Sequence, residues 1–564
     1  MNLSTNQAQQ TYDVLIVGSG ASGGWAAKRL SEAGLKVAIL EAGRPQSAAN
    51  FSEHTPKFQL KYRNMAPEIY SKSRPIQSKV YAFSEYTADW YCDDSQEPYT
   101  TAQGKPYNWL GRTRVVGGRM NIWGRICLRY NDWDMKAPLR DGYGEPWPLE
   151  YKDLAPYYDL VERYIGVNGM AEGLEERPDG VYQPPFPLTC LETHFRNRVK
   201  QKFGRTTTLQ PTAVLTQSLN GRGACHYCGP CERGCMTRSY FNPVFTTVAD
   251  AVLSGNCTLI TNAMAYQVLM DPDRNRARGV SYIDRNTKET REINGRVVIL
   301  CAQTQESVRI LLNSATPQHP GGLANASGVL GHYFTNHIAN SGASGEFQEF
   351  GSKPSLGGPV RPAGVYIVPF RNIKGQAPRK DFLRTYGYEG YASVDFNWSA
   401  PGYGEAYKKA LHTPQVTFSI GGWGETLPRF DNFVEIDSTV KDAYGIPVIK
   451  IHMSDGENED AISKDEVESA AEMLDAAGAK NIRLHPKPAI PYRPNHEAGM
   501  ARMGSDPKKS ILNQYQQAHE IRNLFVMDAS GFPTNPSPNP ALTIMAVCVR
   551  SCDYLMEELK RGEI

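Results

Sequence analysis

Four cysteines fall within the stretch "ACHYCGPCERGC" (224–235), and their C-x2-C-x2-C-x3-C spacing over Cys225, Cys228, Cys231 and Cys235 resembles iron–sulfur ligation. The final interval of three and the lack of a proline after Cys235 separate the run from a ferredoxin motif. Four thiolates also suit zinc, and disulfides or free thiols are further readings. The other seven cysteines are scattered among apolar or loop surroundings, and most are expected to be reduced core residues.

A second signature opens the chain. In "YDVLIVGSGASGGWAAKRLSEAGLKVAILEAG", Gly18, Gly20 and Gly23 follow one apolar run, and Glu41 closes another. At this spacing Gly18 permits a tight turn, Gly20 lets the backbone approach a pyrophosphate, and Gly23 lets a helix pack close on a sheet. Glu41 stands where an acid binds ribose hydroxyls and repels a 2′-phosphate. The elements that must hold these residues are a strand over 14–17, a helix ending near Gly34 and a strand over 37–40. Together they form a βαβ unit whose helix N-terminus offers N–H groups and a positive dipole end to phosphates. The unit binds a nucleotide without choosing between FAD and NAD.

A chain of 564 residues exceeds the usual size of one hydrophobic core, so two or more lobes are expected. Sixty-one Lys and Arg against 59 Asp and Glu, with no basic run, exclude nucleic acid as the natural partner and favour a small neutral one. The opening "MNLSTNQAQQTYDVLIVGSG" carries no export signal of its own. That leaves the cytoplasm, or the periplasm through export with a signal-bearing partner. Near the C-terminus "ALTIMAVCVRSCDYLMEEL" contains Arg550 and Asp553, which makes it a packed helix and not a membrane span.

Three further stretches add to the βαβ unit. "GRTRVVGGRMNIWGRICLRYNDWD" (111–134) carries paired glycines, "RVVILCAQTQESVRILLNSA" spans 296–315, and a long C-terminal run opens with "NHEAG" and includes "VMDAS" and "SPNPALT". In this order they resemble the signatures of the glucose–methanol–choline (GMC) flavin oxidoreductases, over most of the chain. The resemblance implies FAD, with Gly117, Gly118 and Asn121 covering it and Asp528 near its ribityl or pyrophosphate part. It implies His496 as the catalytic base and Asn539, 43 positions later, as the residue that orients the substrate oxygen. Asn539 followed by Pro540 also reads as a helix N-cap with proline at N1, a helix that would aim its positive end at the flavin pyrimidine ring. Related pyranose oxidases bond flavin to a histidine before a tryptophan; here Ile122 precedes Trp123, so FAD is expected to be non-covalent. The family's Ala-Gly-Ala is replaced by Ala302-Gln303-Thr304, which puts the local backbone in question. His519 and His337 are further polar candidates, with a structural role favoured for His337.

By resemblance the fold class is α/β (α+β overall), with a Rossmann-like FAD-binding lobe from 11–50, 111–135, 225–335 and 496–564. A substrate lobe with a largely antiparallel sheet comes from 336–495 with parts of 136–224, and 51–110 forms an irregular cover or contact arm. "AGVYIVPF", "YASVDFNW" and "PQVTFSIGGW" read as strands, and "SKDEVESAAEMLDAAGAK" as a helix opened by a Ser463–Glu466 capping box and ending near Gly478. Tyr391, Phe396, Trp398, Phe418 and Trp423 form either a stacking wall for a sugar ring or core, with core favoured for most. The activity implied is oxidation of a sugar or glycoside secondary alcohol to a ketone with electrons passed to a non-oxygen acceptor, closest to glycoside 3-dehydrogenases and pyranose-oxidising enzymes. An oxidase using O2, a lyase using flavin structurally and an inactive partner-binding subunit are the rivals. Some sugar dehydrogenases of this family carry a three-iron cluster near this position, so the cysteine group would relay electrons from flavin, with a small subunit and a cytochrome acceptor as partners.

Overall fold

The computed structural model describes residues 11–63, 67–350, 362–396, 401–488, 492–493 and 496–564. The apolar opening run forms the strand Tyr12–Val17, flanked in parallel by Val37–Leu40 and Thr290–Leu300. Cys257–Ile260 and Leu524–Val526 extend this parallel part, one on each side. Val14, Leu15 and Ile16 are buried, as a parallel strand covered on both faces requires. The helix Ala21–Glu32 packs on the C-terminal helix Ala541–Arg561 and on Thr247–Leu253. The long strand Thr290–Leu300 also continues into an antiparallel meander with Ala277–Asp284 and Ala263–Met270.

A second sheet is antiparallel throughout, in the order Lys480–His485, His337–Glu346, Pro414–Glu425, Tyr386–Phe396, Val365–Ile367, Thr207–Leu209. Burial alternates along Pro414–Glu425, so one face meets the helix Glu457–Ala476 and the other is left for a cavity. The fold is therefore the mixed α/β architecture read from the sequence. Between residues 48 and 109 lie short 3-10 turns, the five-residue helix Pro67–Ser71 and two two-residue strands.

Two local expectations need correction. The helix holding Ser463 and Glu466 starts at Glu457, two turns early, because Glu459 Oε2 accepts from Gly456 N at 2.7 Å and caps it there. Ser463 instead joins the helix to the sheet, meeting Ser341 on His337–Glu346 at 2.8 Å, and Glu466 is a buried interior residue; Gly478, with φ of +91°, does follow the helix end. Of the five aromatics, Phe418 is core, stacked on Phe195 at 4.4 Å, while Tyr391 and Trp423 face the cavity. Phe396 ends its strand, and Trp398 lies outside the described residues. Among the described residues no helix is long and apolar enough to cross a membrane.

Candidate active site

A cavity of about 990 Å³ is lined by residues of both sheets and of the segments that cross between them. On its nucleotide side the glycine turn has the shape its spacing implied. A Cβ on Gly18, whose φ is +100°, would fall 2.4 Å from the Cys301 carbonyl oxygen; one on Gly23 would fall 2.0 Å from that of Gly18. Both positions are closed to any side chain. A Cβ on Gly20 would meet no atom within 4 Å, because Gly20 faces the cavity. The helix beginning at Ala21 has neither a side-chain cap nor an acidic residue in its first turn, so its N–H groups remain for a diphosphate.

Glu41 sits at the end of Val37–Leu40 on the cavity wall, with Oε2 accepting from Ser19 Oγ at 2.5 Å and Oε1 accepting from Gly43 N at 2.7 Å. Ser19 Oγ also accepts from Gly117 N at 2.9 Å, which draws the 111–121 segment over the turn. Gly118 lines the cavity there, but Gly117 and Asn121 do not. The Asn121 amide donates to the Val116 and Gly118 carbonyls and accepts from Asn242, so it shapes the loop. Asp528 lines the cavity with its carboxylate accepting from Ser307, at 2.5 Å, and Ser530. At the unusual triplet Gln303 takes φ of +85°, a glycine-favouring conformation imposed on a side chain that costs backbone strain.

On the other side, side chains from distant segments form two pairs, His496 with His337 and Asn539 with Glu389. His496 lines the cavity, held through its carbonyl by Asn535 Nδ2 at 2.8 Å and through its neighbour Glu497, which pairs with Arg119 at 2.5 Å. Behind it His337, fully buried at the start of His337–Glu346, places Nδ1 at 2.9 Å from His496 Nδ1. His337 Nε2 lies 2.8 Å from the Pro536 carbonyl and 3.2 Å from that of Asn535. Carbonyls only accept, so Nε2 carries a His337 proton; where that is the ring's one proton, Nδ1 is the acceptor. His496 Nδ1 is then the donor, and its Nε2 is left as a free lone pair. Burial first, then the neighbouring His337 and the Arg119 charge, hold the His496 pKa well below 6.5, so the ring is neutral at neutral pH.

Asn539 also lines the cavity, and its Nδ2 donates to Glu389 Oε1 at 3.0 Å. That bond corrects the capping expectation: the helix starts at Ala541, Pro540 is its N-cap, and Asn539 bonds no helix N–H. Pro540 lines the cavity as well. Glu389, on Tyr386–Phe396, was not singled out in the sequence; burial pushes its carboxyl up to about 7, against hydrogen bonds from Asn539 and Gln210. A glutamate in a strand of tyrosines and glycines, "YGYEGYASV", was the available signal. Trp423 stacks obliquely on His496 with ring centres 4.9 Å apart. His519 is elsewhere, bonded to Ser510 at 2.9 Å.

The arrangement of a nucleotide cradle, a neutral imidazole and a carboxamide around one cavity agrees with comparisons to known proteins. Family models described as GMC oxidoreductase match residues 12–339 and 428–548. This chain belongs to the GMC oxidoreductase family. It is an FAD-dependent oxidoreductase acting on CH–OH donors, and the open Gly20 cradle, the uncapped helix start and Glu41 fit the dinucleotide. The 2-methyl-1,2-propanediol dehydrogenase of Mycolicibacterium austroafricanum is 29% identical over 98% of this chain and 96% of its own. The fructose dehydrogenase large subunit of Gluconobacter japonicus is 26% identical over 98% of each. Pyridoxine 4-oxidase from Mesorbium loti shares the fold at a TM-score of 0.60 and 16% identity, covering 97% of this chain and 99% of that one.

The cysteine group lies apart from these side chains. All eleven cysteines are free thiols, which overturns the disulfide reading. A mononuclear four-thiolate zinc site, with sulfurs about 2.3 Å from the metal, would draw all four within roughly 4 Å of one another. Among the described residues the one group of three or more His, Cys, Asp or Glu ligand atoms within 4.8 Å of one another is His54, His226 and Cys228. Cys225, Cys231 and Cys235 stay outside it, so that form of the zinc reading is not assembled.

Proposed function

We propose that the protein oxidises a secondary alcohol of a sugar or glycoside to the ketone, with FAD bound non-covalently and electrons passed to an acceptor other than O2. The observation that carries this reading is His496, its Nδ1 2.9 Å from His337 Nδ1, facing the same cavity as Asn539 and the open Gly20 turn. Bound flavin supplies the two-electron acceptor for the carbinol hydrogen as it leaves as hydride. His496 Nε2 takes the hydroxyl proton, and Asn539 holds the alcohol oxygen. The charge that His496 gains is shared across the 2.9 Å bond to His337, whose Nε2–H ends on two carbonyls.

Several features support a polyhydroxylated substrate. Glu389, Gln210 and Ser393 give the far wall of the cavity hydrogen-bonding groups, and Trp423 offers an apolar face. Relatives named for a diol and for fructose act on molecules of that kind. Ile122, at the cavity wall before Trp123, has no atom to bond flavin covalently. A relative named as a large subunit supports a small partner subunit here too. The test is anaerobic addition of a panel of sugars, glycosides and simple alcohols to the purified flavoprotein, followed by dye reduction and peroxide assays in air. Bleaching by sugars with dye-coupled turnover and little peroxide is expected. Bleaching by simple alcohols alone, or peroxide at the rate of turnover, would overturn the substrate or the acceptor assignment respectively.

A further inference from the structure

The cysteine loop is clamped to the segment Phe51–Thr55, far away in sequence. Ser52 N donates to the Arg233 carbonyl at 3.0 Å, and the Arg233 guanidinium returns bonds to the carbonyls of Thr55 at 3.3 Å and Glu53 at 3.2 Å. Met236 N donates to Glu53 Oε1, and Phe51 packs so closely that a Cβ on Gly234 would fall 2.2 Å from its ring. In the middle of this clamp the rings of His54 and His226 lie nearly parallel, centres 5.1 Å apart and planes 13° apart, with the Cys228 sulfur beside them. The backbone turns left-handed on both sides of Cys228, at Tyr227 (φ +61°) and Gly229 (φ +100°).

The neighbouring thiols lie outside this group of ligand atoms. Cys225 accepts from Tyr227 N at 3.4 Å, Cys235 from Ser239 N at 3.2 Å, and Cys231 packs with Phe186 and Tyr240. Glu53 makes the second observation. Its side chain is fully buried, Oε2 has no hydrogen-bond partner, and Oε1 is 3.9 Å from His54 Nε2. A buried carboxylate with an unsatisfied oxygen beside an imidazole is costly in a finished structure, and it is the usual companion of a metal-bound histidine.

We propose that His54, His226 and Cys228 bind one borderline-soft divalent ion, zinc foremost, with Glu53 orienting His54, and that the ion staples residues 51–55 to the cysteine loop. Two imidazoles and one thiolate are a zinc ligand set that leaves the fourth position to water. Binding displaces the Cys228 thiol proton and so strengthens as pH rises. The site is independent of the flavin reading, because none of these residues lines the cavity.

The test is metal analysis of the holoprotein purified without chelator, together with cobalt substitution read by the thiolate-to-cobalt charge-transfer band. About one zinc per chain is expected. His54→Ala, His226→Ala and Cys228→Ser should each abolish stoichiometric binding and the cobalt band while FAD content holds, and Glu53→Gln should weaken binding about tenfold. Cys225→Ser should leave the ion in place, and chelation should open residues 51–63 to limited proteolysis. Failure to take up zinc or cobalt would overturn the proposal. So would iron with acid-labile sulfide that is lost in Cys225→Ser and indifferent to both histidine replacements.

Discussion

The two sides of the cavity are built by opposite means. The nucleotide side is backbone: a turn made by three glycines, a bare helix end and one acid, all within residues 18–41. The side proposed for the alcohol is side chain: His496 with His337 behind it, and Asn539 with Glu389, are two pairs drawn from positions far apart in the chain, with His496, Asn539 and Glu389 on the cavity wall. The backbone at Gly18 and Gly23 leaves no room for an added atom, whereas a set of paired side chains tolerates replacement of its members and loses function in grades.

Substitutions should separate the two sides. His496→Ala removes the proposed base, and flavin reduction by substrate should slow about 10³-fold with FAD still bound, measured by anaerobic stopped-flow absorbance. His337→Phe keeps the bulk but removes the acceptor for His496 Nδ1–H; reduction should slow about 10²-fold, with FAD content unchanged. The glycines sharpen the contrast. Gly23→Ala, facing the Gly18 carbonyl oxygen, should lose about 1–3 kcal/mol of folding stability. Gly20→Ala should stay within about 0.5 kcal/mol of the parent in the absence of flavin yet bind FAD more weakly, because its methyl group enters the space kept for the diphosphate. Paired denaturation curves and flavin titrations would show it.

The smallest effect belongs to Glu389. Its carboxyl, raised to about 7, is protonated below neutrality and ionised above it, so kcat/KM should carry a limb near that pH. Glu389→Gln should erase the limb and raise KM for polyhydroxylated substrates about tenfold with kcat little changed.

The same contrast explains what the sequence made legible. The glycine turn, the strands beside it and Glu41 could be read because their chemistry lies in local spacing. His496 and Asn539 were singled out through family motifs; His337 was named as a polar candidate but not as the neighbour of His496, and Glu389 was not singled out. His337 looked like a structural histidine, and it is buried as one, but its Nδ1 points at the base. Asn539 looked like a helix cap because Asn-Pro has that local meaning, and Glu389 claimed its amide from a strand 150 residues away. The capping box at Ser463 failed for the same reason in miniature: Glu459 supplied a cap two turns earlier, and the local pattern could not tell which would win. Glycine geometry survives translation from sequence to structure, whereas hydrogen-bond partners are chosen by the tertiary fold.

The most direct test of the account is the pH dependence of flavin reduction at saturating substrate, measured anaerobically in the wild type. With His496 kept neutral and its Nε2 free, the rate should be level between about pH 6 and 8 and fall only in stronger acid. A rate that rises through the ordinary histidine range, with midpoint near about 6.5, would show an unshifted base and contradict the locked pair.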